Sequence, residues 1–582
     1  MAVRISIVVG YLGLLLLIGW RARRRAQANL TDYILGSRSL PTWVLVMTIA
    51  ATNFSAFTVF GFAGAGWEAG YAYYPIMAFG TGFMAVSFVL IGVPAWRIGK
   101  AYDALTPPEV VGRLTGSRGL QLLLFLVMTV FTLPYLAMQP MAAGYALESL
   151  LGIPYFAGAG LVTVVMLAYT FLGGFRGVSW TDALQGGMML GLLVAAVAAV
   201  AGSLGGLTVA QGTAQQAFPE LYSRPGLGSL YTPGIWFGYM ALWLLCDPVF
   251  PQLFQRFLAA RSPRALSTSM GLYPLITGFL FLLPVTIGVL GRVTYPALPE
   301  GTSPDQILPL MLAEHVSPVV EALVLTAALA ALMSTLDSQL LTLSSMFTRD
   351  VWAPLRDRWR RRMGLPEAAV PLWVGKVFVV ALALGGLAIA YHPPATFRVL
   401  ATQTFTGLAA LFPTVVAVLY WKRMNAVAGI ASILTGEALV AAYALDWLPT
   451  LGTLPVIPVV GAATIVLVGI GWCASPMSRR SPLVASPVRR TRRSGRWAWV
   501  VGLAGLFALA NDAWNWGESA MGWLGYPWWV WRFAGLCVLL SAVLFAFARW
   551  LGTRRPACED WEEAAALGAA APSDTTRNAG SV

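Results

Sequence analysis

The segment from Ala327 to Asp350 holds the side chains of this chain that are best suited to bind an ion, and it reads AALAALMSTLDSQLLTLSSMFTRD. Polar groups lie there among apolar residues: Ser334, Thr335, Asp337, Ser338, Gln339, Thr342, Ser344 and Ser345. Such groups are costly in hydrocarbon, so they usually face a protein interior or a water-filled path. Oxygen ligands beside an approaching backbone suit a hard cation such as Na+. Small and hydroxyl residues also join membrane helices to one another, so the segment by itself leaves both interpretations open.

The composition of the chain indicates what surrounds this segment. The chain has 582 residues, of which 58% are hydrophobic and 11% are charged, and its mean hydropathy is +0.71. Such values predict an all-α polytopic protein in a lipid bilayer. We predict about 15 transmembrane helices, at roughly 5–21, 41–66, 72–96, 119–148, 155–174, 180–203, 233–255, 269–291, 306–347, 372–391, 397–420, 426–446, 453–473, 497–511 and 528–548. The first span lacks a cleavage site, and we expect a retained helix rather than a cleaved signal.

A formal net charge of +13 is compatible with binding to nucleic acid, but the distribution of the basic residues along the chain argues against it. Of the 38 Lys and Arg residues, 33 lie at one set of alternate span ends, and the other five are Arg4, Arg224, Arg292, Arg398 and Arg532. The positive-inside rule then places the N-terminus outside and the C-terminus in the cytoplasm of a bacterial inner (plasma) membrane. The basic loops serve topology and contacts with anionic lipids, and we expect no nucleic acid to bind.

Motifs of catalytic sites are missing from the sequence. The four cysteines have no CxxC spacing, and the two histidines form no metal-binding pattern. There is no Walker loop, no GxGxxG motif after a strand and no GxSxG motif. An ATP-driven pump or a membrane hydrolase would need one of these devices, so we expect that the protein is not an enzyme.

Two of the predicted spans contain residues that interrupt a helix. The segment Thr48–Gly70 has polar residues followed by several glycines, and Gly238–Ala260 has Pro248 and Pro251 just after Asp247. Backbone carbonyls freed at membrane depth are tolerated where protein encloses them or where they line a cavity. Each broken span opens a set of five, and the sets start on opposite sides of the membrane, which predicts a five-plus-five inverted repeat. The alternative is that Gly and Pro are simply frequent in membrane helices.

Six motifs in order resemble the sodium:solute symporter family. They are TDYILGSRSLP, AATNFSAFTVFG, YTFLGGFRGVSWTDALQGGMML, PQLFQRFLAA, ALMSTLDSQLLTLSS and GLAALFPTVVAVLYWKR. The resemblance covers about residues 30–470. Bacterial proline, pantothenate and monocarboxylate permeases are the members of the family that the chain is similar to. It implies a LeuT-type fold with extra helices, which agrees with the repeat inferred above.

The resemblance also implies a sodium site. The family's ion ligands correspond to the backbone carbonyls of Ala51, Phe54 and Ala331 and to the side-chain oxygens of Ser334 and Thr335. This cage of five oxygens carries no formal charge, which suits a monovalent ion that must leave again.

Two carboxylates are expected near the path of the ion. Asp182, in VSWTD, matches a family aspartate on the cytoplasmic route by which Na+ leaves, and a structural cap where the chain re-enters the membrane is the alternative. Asp337 lies one turn below Ser334, where it would steer the ion or pair with an arginine.

The solute cavity is expected beside the ion, between the two broken spans. The resemblance places six residues there: Asn53, Phe57, Thr58, Tyr135, Gln139 and Trp243. Phe57 and Thr58 stand where sugar-carrying relatives have acidic and amide residues, which argues against a sugar. The aromatic rings suit a small, partly apolar solute, and the LGGF and GLAALFP segments favour an organic anion such as a monocarboxylate or pantothenate.

The predicted function is therefore Na+-coupled symport of a small organic solute by alternating access. The alternatives are a Na+/amino acid (proline-like) symporter and a non-transporting membrane sensor of the same fold. The expected organisation is an N-terminal helix and basic loop (1–30), a transport core (31–423), two further family helices (424–473), a basic cytoplasmic linker (474–496), two extra C-terminal helices (497–550) and a disordered cytoplasmic tail (551–582).

The charge distribution gives a testable topology. On a cysteine-free background, Pro225→Cys should react with a membrane-impermeant maleimide in intact cells, because the loop after residue 203 is expected outside. Ala485→Cys should react only after permeabilisation, because it lies in the basic linker. The reverse pattern would overturn the order of the predicted spans.

Overall fold

The computed structural model of the chain describes residues 1–25, 30–366, 371–450, 452–473 and 495–552. Over these ranges it is built of α-helices joined by 3-10 and π turns, and the same ranges contain no β-structure beyond two isolated bridges. The predicted linker 474–496 and tail 551–582 lie almost entirely outside the described residues.

The α-helices are numbered here in chain order over the described ranges. They are α1 Ala2–Arg25, α2 Leu30–Leu35, α3 Thr42–Asn53, α4 Phe62–Ala69, α5 Tyr73–Met84, α6 Val93–Ala101, α7 Pro107–Thr115, α8 Arg118–Leu151, α9 Tyr155–Ser203, α10 Leu207–Ala217, α11 Pro233–Cys246, α12 Pro251–Ala259, α13 Pro263–Leu280, α14 Leu282–Thr294, α15 Ile307–His315, α16 Pro318–Met346, α17 Ala353–Arg362, α18 Leu372–Tyr391, α19 Phe397–Ala409, α20 Phe412–Tyr420, α21 Ala426–Ala444, α22 Val456–Cys473, α23 Arg496–Leu509 and α24 Trp528–Trp550.

Length and hydropathy single out eleven helical segments of the described chain as able to cross a membrane. Two shorter apolar helices, Thr42–Asn53 and Tyr155–Phe171, accompany them. The chain is thus a multi-pass membrane protein, as predicted, but the count of fifteen spans is not confirmed. Several predicted spans consist of two or more short helices, and each of these helices is too short to be counted as a membrane span by itself.

The predicted span 306–347 is two helices rather than one. The chain leaves α15 at His315 and starts α16 at Pro318, where the side chain of Ser317 accepts a hydrogen bond from the backbone N–H of Val320. Proline at the first turn and serine at the N-cap are a strong start signal for a helix. The long apolar run concealed this boundary.

The first predicted interruption lies between α3 and α4. After Asn53 the backbone becomes extended at Phe54, with φ −88° and ψ 98°, and it returns through a π turn at Phe57–Gly61. Side chains replace the lost helical bonds. Ser55 Oγ accepts a hydrogen bond from the N–H of Phe57 at 3.2 Å, and Gln139 Oε1 accepts one from the N–H of Ala56 at 3.0 Å.

The second interruption lies between α11 and α12. A 3-10 turn at Asp247–Val249 follows α11, and the chain is extended at Phe250 before α12 begins at Pro251. Pro248 and Pro251 have no backbone N–H, so a continuous helix would lack donors at both positions. The break therefore falls where the sequence predicts it.

Helix α16 occupies the centre of the bundle. Every residue from Val324 to Met346 is buried, and the helix packs against α1, α3, α8, α9, α12 and α18. The polar segment singled out in the sequence is thus enclosed by protein, which removes the cost of exposing its hydroxyls to lipid.

The second half of the first broken helix, α4, lies very close to α14. A Cβ atom at Gly66 would be 2.5 Å from the carbonyl oxygen of Val285, and one at Gly288 would overlap the carbonyl oxygen of Ala63. These glycines allow backbone contact between the two helices, which holds α4 in place.

Replacing Gly288 with alanine should therefore destabilise the protein. Overpacking of this kind costs about 1–3 kcal/mol, and the neighbour here is rigid backbone. Thermal unfolding of the purified protein measures the loss. Gly191→Ala in α9 is the matched control, since a Cβ there meets nothing within 4 Å, and its melting temperature should not fall. Equal melting temperatures for the two variants would contradict the close contact.

Candidate ion and solute site

Five oxygen atoms converge where α16 crosses the end of α3. Ser334 Oγ lies 2.9 Å from the carbonyl oxygen of Ala51 and 2.8 Å from that of Ala331. Thr335 Oγ1 lies 3.4 Å from the carbonyl oxygens of both Phe54 and Ala331. All five residues expected as ion ligands are therefore brought together, and both hydroxyls are fully buried.

The break in the first helix explains why these carbonyls are available. The last residues of α3 have no following helical turn to donate to them, so their carbonyls point out of the helix end. Thr52 contributes a further oxygen, 3.2 Å from Thr335 Oγ1, which the sequence did not single out. The oxygens at a helix C-terminus also carry partial negative charge, which favours a cation.

The chemistry of this oxygen cluster matches a weakly held hard cation. Its members are backbone carbonyls and hydroxyls, which have no formal charge. Carboxylates would bind a divalent ion tightly, whereas neutral oxygens suit a monovalent ion. The described residues contain no group of three or more His, Cys, Asp or Glu side chains that could hold a metal ion.

Asp182 lies in a buried polar network that also includes α12. Its Oδ2 accepts a hydrogen bond from Arg256 Nη2 at 2.9 Å, and Thr48 Oγ1 donates to the same oxygen. Arg256 Nε donates to Thr48 Oγ1 at 3.1 Å, and its Nη2 donates to Ser338. Neither Asp182 nor Arg256 is exposed to solvent, so each charge depends on the other for stability.

Asp337 is hydrogen-bonded to a tyrosine and to the neighbouring serine. Its Oδ2 accepts a hydrogen bond from Tyr169 at 2.8 Å, and Ser338 donates to its Oδ1 at 3.2 Å. Arg256, on α12, forms its ion pair with Asp182 rather than with Asp337. Sequence reasoning missed Arg256 because nothing in PQLFQRFLAA shows that its side chain turns inward.

A small cavity lies next to the oxygen cluster, between the two broken helices. Its lining consists of Asn53, Phe57, Thr58, Met77, Thr81, Tyr135, Trp243, Asp247, Phe250, Phe281 and Phe405. Five of the six residues expected to face the solute are in that lining. Asp247 was noted in the sequence only as the residue before Pro248, although a carboxylate beside a helix break is itself a signal of a binding site.

Gln139 is the expected solute residue that lies outside the lining. Its Oε1 accepts from the N–H of Ala56 at 3.0 Å, and its Nε2 donates to the carbonyl oxygen of Tyr135 at 2.8 Å. Both ends of the amide are thus used by backbone. Gln139 shapes the cavity indirectly, because it stabilises the unwound segment from which Phe57 projects.

Aromatic rings form most of the cavity wall. Phe57 and Trp243 stack with their centroids 5.7 Å apart, and Phe405 meets Trp243 edge to face at 5.0 Å. Tyr135 completes the group, with its centroid 4.9 Å from that of Phe405. The first and second broken helices therefore contact each other through Phe57 and Trp243, at the cavity itself.

The polar part of the wall is small and carries one carboxylate. Asn53 Nδ2 donates to Tyr273 Oη at 2.6 Å and lies 3.3 Å from Asp247 Oδ2. Asp247 is 1% exposed. The lining residues include no Lys, Arg or His.

Comparison with known sequences gives a consistent family match. The model of the sodium:solute symporter family matches residues 33–436. Sodium/proline symporters of Staphylococcus aureus strains JH9 and NCTC 8325 are each 28% identical over 457 residues, which is 76% of this chain and 85% of the relative.

Comparison with solved structures identifies the same fold. A Na+-coupled sialic acid symporter, in a substrate-bound outward-open state, aligns with a TM-score of 0.66 at 20% identity, over 81% of this chain and 98% of that one. A nucleobase-cation-symport-1 family transporter in a closed conformation aligns with a TM-score of 0.51 at 14% identity, over 78% of this chain and 98% of that one. The predicted all-α, LeuT-type fold class is confirmed.

Proposed function

Because this chain belongs to the sodium:solute symporter family, we propose that it takes up a small organic solute together with Na+ by alternating access. The observation that carries the proposal is the oxygen cluster at the end of α3, which lies directly beside the aromatic-lined cavity. One broken helix supplies both Ala51 to the cluster and Phe57 to the cavity wall.

The proposed ion ligands are the carbonyl oxygens of Ala51, Phe54 and Ala331 and the hydroxyl oxygens of Ser334 and Thr335. In the ion-free arrangement the two hydroxyls donate to those carbonyls. Na+ would take the place of their protons, because a cation bridges oxygens that otherwise repel one another. The ion would then fasten α3 to α16.

The link between α3 and α16 through the ion would couple Na+ binding to solute binding. With the end of α3 held by the ion, Asn53, Phe57 and Thr58 keep the positions in which they face the solute. Solute contacts with Phe57 and Trp243 would in turn stabilise the same arrangement. Each ligand therefore favours the conformation that the other needs, which is the thermodynamic requirement for symport.

The proposed exit for the ion passes Asp182 and Asp337 towards the cytoplasm. Asp182 is held by Arg256, so a passing Na+ would compete with the guanidinium for the carboxylate. This competition keeps the ion from resting there. The inward Na+ gradient drives the cycle with the membrane potential, which contributes about 2.3 kcal/mol per charge per 100 mV.

Of the two solute classes that the sequence suggests, a proline-like amino acid has the better support. The S. aureus relatives are named sodium/proline symporters. An organic anion such as a monocarboxylate or pantothenate would meet no basic side chain in the cavity lining.

The proposed setting is a bacterial inner membrane, with the N-terminus outside, the C-terminus in the cytoplasm and the transport core at 31–423. The helices of 424–473 and of 497–550 would be accessories to that core. Transport needs no enzymatic step in this scheme. A membrane sensor of the same fold is the other candidate, and uptake of a labelled solute into proteoliposomes, with and without a Na+ gradient, distinguishes it from a symporter.

The ion ligands can be tested directly. The double variant Ser334→Ala, Thr335→Ala removes two of five oxygens, so the Na+ concentration for half-maximal uptake should rise about tenfold or more, as each lost oxygen contact is worth about 1 kcal/mol. Solute uptake against Na+ concentration provides the measurement. Ser345→Ala, on the same helix but bonded to the carbonyl of Leu341, is the control. A folded double variant with the normal Na+ dependence would rule out this ion site.

The aromatic wall can be tested in the same assay. Trp243→Ala and Phe57→Ala should each weaken solute affinity, with much less effect on Na+ binding measured without solute. Because the two rings stack, their effects should be non-additive, and the double variant should lose less than the sum of the single losses. Reduced thermal stability with normal half-saturation in purified protein would instead make Trp243 a packing residue.

A further inference from the structure

We infer that Asp247 binds a cationic ammonium group, and that the solute is therefore a zwitterion carrying both an ammonium and a carboxylate. This inference rests on the proposed function, because it takes the cavity as the solute site. It adds a recognition residue, and it states the chemical feature, a charged ammonium, by which the site would select a proline-like solute.

The carboxylate of Asp247 has unused capacity to accept hydrogen bonds. Its Oδ2 has Asn53 Nδ2 at 3.3 Å, and its Oδ1 has the thiol of Cys246 at 3.5 Å. Both are weak contacts, and an ionised carboxylate accepts about four hydrogen bonds. The side chain is nevertheless 1% exposed and lines the cavity. Its remaining acceptor sites face the space in which a solute would bind.

No described side chain of the lining neutralises this charge. The lining contains no Lys, Arg or His. Arg256 lies on α12, the second half of the same broken helix. It forms its ion pair with Asp182 at 2.9 Å and also donates hydrogen bonds to Gln252 and Thr48. A buried charge without a partner is strongly unfavourable. A cationic group on the bound solute would supply the direct partner that the lining lacks, whereas Na+ would lie in the neighbouring oxygen cluster.

Charge balance decides which solute fits. The oxygen cluster is neutral, so bound Na+ adds one positive charge beside the cavity, and Asp247 supplies one negative charge. A zwitterion keeps the loaded site neutral. A monocarboxylate would leave it with one excess negative charge, and a simple amine would leave one excess positive charge. Both are disfavoured in a low-dielectric interior.

The rest of the cavity provides for both ends of such a solute. The rings of Phe57, Trp243 and Phe405 offer π faces, which attract ammonium groups. Two hydrogen-bond donors suit the carboxylate end, because Trp243 Nε1 and Thr81 Oγ1 are buried and have no partner among the described residues. The zwitterion would lie with its ammonium on Asp247 and its carboxylate towards these donors and the ion.

The test uses pairs of molecules that differ only in the ammonium. L-Proline is paired with cyclopentanecarboxylate, and glycine betaine with 3,3-dimethylbutanoate, in which a carbon replaces the positively charged nitrogen. Lactate and pantothenate complete the panel. Full-length protein in proteoliposomes with an inward Na+ gradient is assayed for uptake of each compound, and purified protein for its binding. The two pairs separate a secondary from a quaternary ammonium.

Uptake should be confined to compounds that carry an ammonium. The carbon analogue of a transported zwitterion should bind at least about 100-fold more weakly, because the attraction between its ammonium and the buried carboxylate is lost. Uptake of cyclopentanecarboxylate, dimethylbutanoate, lactate or pantothenate at rates equal to those of the zwitterions would overturn the inference and leave Na+ symport intact. Failure of a Na+ gradient to drive any of the six compounds would instead count against the proposed function.

Asp247→Asn provides an independent test. It keeps the shape of the side chain but removes its charge, so discrimination between a zwitterion and its carbon analogue should fall below about tenfold. Na+-dependent stabilisation without solute should persist. Asp357→Asn, which makes the same change at a carboxylate outside the lining, should keep full discrimination. Unchanged discrimination in Asp247→Asn would show a structural role and contradict the inference. If Asp247→Asn does not fold, the inference is tested by the comparison of each zwitterion with its carbon analogue on the wild-type protein.

Discussion

The structure depends on how the chain satisfies backbone groups that are freed in the middle of the membrane. An unpaired carbonyl or N–H group in hydrocarbon is too costly to leave without a partner. At the break after α3, the N–H of Ala56 is satisfied by Gln139, and the carbonyls of Ala51 and Phe54 are met by the hydroxyls of Ser334 and Thr335. Since a cation can replace those hydroxyl contacts, the same constraint that shapes the fold also creates the proposed ion site.

A second buried network fixes the helices around this break. The ion pair of Arg256 and Asp182 connects α12 to α9, and the hydrogen bonds of Arg256 to Thr48 and Ser338 add α3 and α16. Four helices are thus held at one point, and two of them, α3 and α16, also carry the oxygen cluster. A buried ion pair of this kind fixes the relative positions of the helices more than it adds to net stability, because the cost of desolvating the two charges offsets much of their attraction.

Much of this arrangement follows from local sequence. Apolar runs indicate the membrane class, Pro248 and Pro251 determine the second break, and hydroxyls on a helix of small residues indicate the face of α16 that meets another backbone. These features are local, so a single sequence displays them. Pairings between distant segments are not local. Arg256 meets Asp182, Gln139 meets Ala56, and Asp247 meets Asn53, and the sequence has no pattern that links the members of these pairs. The boundary at Pro318 was concealed for a different reason, because hydropathy continues across it.

The central claim is that ion and solute bind to one broken helix and therefore stabilise each other. Isothermal titration of purified protein tests it most directly, with the affinity for L-proline or glycine betaine, whichever is transported, measured over a range of Na+ concentrations and the Na+ affinity measured with and without that solute. The account predicts that Na+ strengthens solute binding and that the solute strengthens Na+ binding by the same factor. Solute affinity that does not change with Na+ concentration would contradict it.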